Sequence, residues 1–71
     1  MISKNQKKIG LKIKQLREKM KLDQYEFASK LEVSQGTISN IEAGKRKVQG
    51  DIAFKLSKLT GEAIETFLSV S

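Results

Sequence analysis

The sequence predicts an all-α fold, a compact bundle of five short helices. Three observations carry this expectation. Apolar residues recur at intervals of three and four in five separate segments, no segment alternates as a half-buried strand would, and the chain contains no proline to interrupt a helix. A chain of 71 residues is read as one domain spanning 1–71, near the lower size at which a single hydrophobic core holds a fold unaided.

Ile9, Ile13, Leu16 and Met20 form one apolar stripe on a first helix spanning about Asn5 to Lys19, with lysines on its other sides. Asp23 followed by Glu26 is a capping-box start for a second helix that buries Phe27, Ala28 and Leu31. Ser34 is a good N-cap for a third helix, in which Ile38 and Ile41 face inward and Gly44 supplies a left-handed stop. A fourth helix follows "KRKVQG", burying Ile52, Leu56 and Leu59 and ending at Gly61. Ile64, Phe67 and Leu68 mark a short fifth. Helices this short are not stable alone in water, so packing must hold them. The expected core is Ile13, Leu16, Phe27, Ala28, Leu31, Val33, Ile38, Ile41, Ile52, Leu56 and Leu59.

Composition removes several function classes. With no Cys and no His, neither disulfides nor the usual zinc sites can be built, and no metal or cofactor is expected. Apolar runs are too short to cross a bilayer, and the first residues lack the apolar segment of a signal peptide, so a cytoplasmic protein is expected. An enzyme is the weakest reading, because there is no Gly-rich phosphate loop and little bulk from which to form a pocket. The formal charge of +6 is unevenly placed: residues 1–21 carry +7, 22–44 carry −3, 45–58 carry +4 and the remainder −2. Two basic blocks around a mildly acidic middle suit a polyanion such as nucleic acid, although Lys-rich helices are also simply well solvated.

The third helix has an unusual outward face. Stepping 100° per residue from a buried direction between Ile38 and Ile41 puts Gly36 and Ala43 opposite, with Ser39 and Asn40 beside them. That face is small and neutral where a solvated helix would carry Lys and Glu, so a partner can approach the backbone closely. A helix in the DNA major groove needs such a surface, because base edges present donors and acceptors to short side chains. Gln35 and Asn40 carry carboxamides that match adenine, Thr37 and Ser39 can bond bases or phosphates, and Lys45, Arg46 and Lys47 sit where they could straddle a backbone. The plain alternative is that these polar residues only solvate a weak surface helix.

The stretch "DQYEFASKLEVSQGTISNIEAGKRK" resembles bacterial and phage helix-turn-helix regulators of the Cro and repressor type, often called Xre-like. Gln24 matches the Gln that starts the second helix. Ala28, Val33, Ile38 and Ile41 match the positions that set the crossing of the two helices, and "IEAGKR" matches the family's ending. "IGLKIKQLREKMKL" looks like its first helix, and the likeness covers roughly residues 9–59. The resemblance implies a lambda-repressor-like fold with a helix-turn-helix made by helices 2 and 3. It also implies a phosphate contact from Gln24, base-reading positions at Gln35, Gly36 and Asn40, a phosphate-gripping loop at Lys45 and Arg46, and a buried ion pair between Arg17 and Glu42. Two solvated charges are the alternative for that pair. Glu32 departs from the family by standing where a turn glycine is usual, which implies either strain at positive φ or a differently shaped turn. Gly36 stands where a base-reading side chain is frequent, and the segment from Val48 onward fits the pattern only loosely.

The expected function is therefore a sequence-specific double-stranded DNA-binding transcriptional regulator, a repressor more than an activator, inserting helix 35–43 into the major groove. A bacterial or phage origin, a palindromic operator and a homodimer are expected with it. Ile64, Phe67, Leu68 and Val70 could make the dimer interface or equally finish the core of one chain. The competing expectation is a basic helical interaction module, antitoxin-like, whose first helix docks on an acidic protein or membrane.

Overall fold

The computed structural model describes residues 4–68, and among them every regular element is helical. Helix α1 spans Lys4–Lys19, α2 Gln24–Leu31, α3 Gln35–Glu42 and α4 Gly50–Thr60. The fifth helix expected from sequence is instead a single 3-10 turn, Ile64–Thr66. One turn is enough to swing Phe67 into the core, where it is fully buried.

The starts of α2 and α3 are set by short-range chemistry. Asp23 caps α2 by accepting from the Glu26 backbone at 2.8 Å, while Glu26 accepts from the Asp23 backbone at 3.0 Å, so two orphan donors are satisfied reciprocally. Ser34 caps α3 by accepting from the Thr37 backbone at 3.1 Å.

Three of the helices end with the same pair of backbone bonds. After α3, Gly44 donates to the Ile41 carbonyl and Lys45 to that of Asn40, with Gly44 at φ 77°. After α1, Lys21 and Leu22 donate to Glu18 and Arg17, and after α2, Glu32 and Val33 donate to Ser29 and Ala28. The residues turned into the left-handed region there are Lys21 (φ 59°) and Glu32 (φ 58°), neither of them glycine. The α2–α3 turn thus keeps the left-handed shape despite Glu32, at a steric cost of about 1–2 kcal/mol. Lys55 offsets part of that cost, with its Nζ lying 3.3 Å from the Leu31 carbonyl and 3.5 Å from the Glu32 carboxylate.

Ile13, Phe27, Ala28, Leu31, Ile38, Ile41, Ile52 and Leu56 are buried as expected from their spacing. Leu16, Val33 and Leu59 are only partly buried and pack on the outside of that cluster, as do Ile9, Ile64 and Leu68. Met20, the last residue of the expected stripe, lies beyond the end of α1 and is 36 % exposed. Val48 and Ala53 complete the core. No helix is long and apolar enough to cross a membrane among the described residues.

Helix α1 crosses α3 at unusually short range, and two glycines allow it. A Cβ built on Gly10 would run into the carbonyl oxygens of Ile41 and Glu42, the latter at 2.7 Å. A Cβ on Gly44 would lie 3.0 Å from the Cα of Lys7, in addition to meeting an unfavourable φ. Since backbone rather than a flexible side chain blocks the Gly10 site, Gly10→Ala must push the helices apart. Its gain in helix propensity of about 1 kcal/mol is outweighed by overpacking, and a net loss of about 1–3 kcal/mol is expected in chemical denaturation. A stabilised Gly10→Ala protein would show that the crossing is loose.

Candidate nucleic-acid interface

The turn at 32–34 sets α3 against α2, and the burial of Ile38 and Ile41 fixes which face of α3 points out. Gly36, Asn40 and Ala43 are exposed, while Gln35, Thr37 and Ser39 are partly so. The face derived by 100° steps is thus the face that the fold leaves open. Within the described residues the Asn40 carboxamide has no hydrogen-bond partner, so its donor and acceptor are both available to a ligand. Thr37 differs: its hydroxyl shares a 2.8 Å hydrogen bond with Ser34, which ties it to the helix cap and leaves its methyl group free.

Gly36 contributes nothing to packing, since a Cβ there would meet no atom closer than the Ser34 hydroxyl at 4.0 Å. Glycine inside a helix costs about 1 kcal/mol relative to alanine. The fold therefore bears a cost at Gly36 without an internal return, in contrast to Gly10 and Gly44.

A polar chain runs behind the open face. Arg17, only 9 % exposed, donates from Nε to Glu42 Oε2 at 2.7 Å and from Nη2 to Glu42 Oε1 at 3.2 Å, and from Nη1 to the Leu22 carbonyl at 2.8 Å. The hydrogen bond to Glu42 raises the Arg17 pKa above its ordinary value, against the opposing effect of burial. Gln24 Nε2 donates to Glu42 Oε1 at 3.0 Å, and Gln35 Nε2 donates to Gln24 Oε1 at 2.7 Å. Gln24, expected to reach outward to a phosphate, thus has both polar atoms engaged inside the protein, though each retains bonding capacity.

Lys45, Arg46 and Lys47 are exposed in the segment after Gly44. Spacing alone did not indicate that Lys7 joins them: the close approach of Gly44 to the Lys7 backbone brings this exposed lysine of α1 to the same turn. Only the tertiary crossing of α1 over α3 reveals it. In the set expected at a dimer interface, Phe67 is fully buried within its own chain and so is not available to a partner, whereas Ile64 and Leu68 are partly exposed. Val70 lies outside the described residues. Among the described residues no group of acidic, Cys or His side chains could hold a metal ion.

This arrangement of helices 2 and 3 under a covering first helix defines a class, and a family comparison identifies it. A helix-turn-helix family model matches residues 13–67. The chain belongs to that family, the DNA-binding helix-turn-helix regulators of the Cro and repressor type, also called Xre-like. The match extends through α4 and the 3-10 turn, well into the segment of looser resemblance from Val48 onward. No curated protein and no solved structure matches the chain.

Proposed function

We propose that the protein is a sequence-specific double-stranded DNA-binding transcriptional repressor that lays α3 in the major groove. The observation that carries this reading is the open face of α3, where, among the described residues, an Asn40 carboxamide without a hydrogen-bond partner stands beside Gly36, a glycine with no packing role. Gln35 and Asn40 read base edges, Ser39 and the Thr37 methyl add contacts, and Gly36 lets the helix approach closely. Lys45, Arg46 and Lys47, with Lys7 alongside, grip phosphates and set the register, and Gln24 adds a contact from the first turn of α2. Binding as a homodimer to a palindromic operator in a bacterial or phage-infected cytoplasm accompanies this reading, with half-sites about one helical turn apart.

A membrane- or protein-docking first helix is disfavoured by the same structure. Ile13 is fully buried and Ile9 and Leu16 pack on the core, so the apolar stripe of α1 is already occupied.

Three substitutions test the reading. Asn40→Ala should weaken specific binding by about 1–3 kcal/mol and non-specific binding little, whereas Lys45→Ala should weaken binding to all duplexes and lower the salt slope by about one unit. Equal losses for Asn40→Ala on both kinds of DNA would remove it from base reading. Gly36→Ala should raise the unfolding free energy by about 0.5–1 kcal/mol while weakening DNA binding. Gain of stability with undiminished binding would deny Gly36 a role at the interface.

A further inference from the structure

We infer that the outward face of α4 is a self-complementary surface on which a second copy of this chain docks antiparallel about a twofold axis. This rests on the homodimer proposed above and gives that dimer its contact. Asp51, Phe54 and Lys58 make the face, and all three are exposed. Spaced by three and four, they fall within about 60° of one another on the helix, on the side away from the buried Ile52 and Leu56. Phe54 is 53 % exposed, with the Lys58 ammonium held 4.8 Å from the centre of its ring. The other lysine of α4, Lys55, is turned aside to the Leu31 carbonyl. Leu11 is as exposed as Phe54, but Lys7, Lys8, Lys12 and Lys14 surround it along α1, and such a face repels its own copy.

The order of charges along α4 selects the occupant. About a twofold axis, whatever residue i meets on the partner meets residue i in return. With the two helices antiparallel and the axis beside Phe54, the rings meet at the centre, Asp51 faces the partner's Lys58 and Lys58 faces the partner's Asp51. Opposite charges then flank an apolar centre at both ends, and antiparallel helix dipoles add to the attraction. Parallel pairing would set Asp51 on Asp51 and Lys58 on Lys58. The contact is small: α4 has 11 residues, about 16 Å of helix, and one face of it falls well short of the roughly 800 Å² per partner of a stable complex. The chain should therefore be monomeric at micromolar concentration and pair where a palindromic site holds two copies side by side, at an effective concentration of about 1 mM.

Binding of the full chain to duplexes carrying one or two copies of a half-site enriched from randomised DNA gives a cooperativity factor, the gain in affinity of the second chain over the first. Phe54→Ala, Asp51→Lys and Lys58→Asp should each lower that factor roughly tenfold and leave affinity for a single half-site within about threefold. An equal mixture of the Asp51→Lys and Lys58→Asp proteins should restore it, because only the mixed pair sets opposite charges against each other. A role for either charge within its own chain would not be rescued by a second chain. Sedimentation equilibrium of the free protein at about 1 mM supplies a readout without DNA: the wild type should associate and Phe54→Ala should not. Equal masses for the two overturn the interface, as does cooperativity that survives Phe54→Ala and both reversals, or a mixture that restores nothing. Wild-type protein that fills two half-sites independently overturns the homodimer reading, and the α4 contact with it.

Discussion

Glu42→Ala is expected to lower the unfolding free energy by about 3–5 kcal/mol. The side chains of Arg17 and Glu42 are 11 % and 4 % exposed, and their closest approach is 2.7 Å. Removing the carboxylate leaves the guanidinium buried with, among the described residues, only the Leu22 carbonyl as partner, and the unpaired charge is what makes the change costly. Proteins have roughly 0.05–0.15 kcal/mol of stability per residue, so a chain of this length holds about 4–10 kcal/mol and the variant should be close to unfolding. The corresponding fall in Tm is on the order of 20 °C. Exposed ion pairs contribute well under about 1 kcal/mol, and a loss that small would mean that water reaches the pair. A paired change, Arg17→Met with Glu42→Leu, should recover most of the loss, since it leaves no charge behind.

Phe67→Ala should have an effect of similar size. The ring is fully buried beside the 3-10 turn, packed with the cluster that includes Leu56 and Ala53, and truncating a core phenylalanine typically costs about 3–5 kcal/mol. Sequence alone leaves Phe67 between core and dimer interface, and the two make different predictions about protein concentration. Because the ring is buried within one chain, the deficit in urea denaturation should be the same at two protein concentrations tenfold apart. A deficit that shrinks to under about 1 kcal/mol in dilute protein would place Phe67 between chains instead.

Much of the fold was legible because local rules agree along this chain. The stripes at Ile38 and Ile41 or Ile52 and Leu56, the Asp23–Glu26 box, the Ser34 cap and the glycines at 44 and 61 each predict an element that the structure contains. What sequence did not reveal lies in tertiary contacts or against propensity. Lys21 and Glu32 adopt left-handed φ because the two-bond helix ending and the packing of the next helix over-determine it. Val48 is buried from a loop, where no period marks it, and Ala53 is too small to stand out in a stripe. Phe67 is buried by one 3-10 turn rather than by a helix.

The candidate site divides similarly. The outward face of α3 follows from helical geometry once Ile38 and Ile41 are known to be buried, so Gly36 and Asn40 could be named in advance. Partners of Gln24 could not, because the amide meets Glu42 and Gln35 only after α1, α2 and α3 have packed. Lys7 joins the basic turn for the same reason: the crossing at Gly10 and Gly44 brings together residues far apart in the chain.

Selection from randomised duplex DNA, repeated at two salt concentrations, tests the central claim most directly. A palindromic consensus that persists at the higher salt, with adenine fixed at a position relaxed by Asn40→Ala, is the expected result. Binding that weakens with salt and enriches no sequence would contradict a base-reading role for α3.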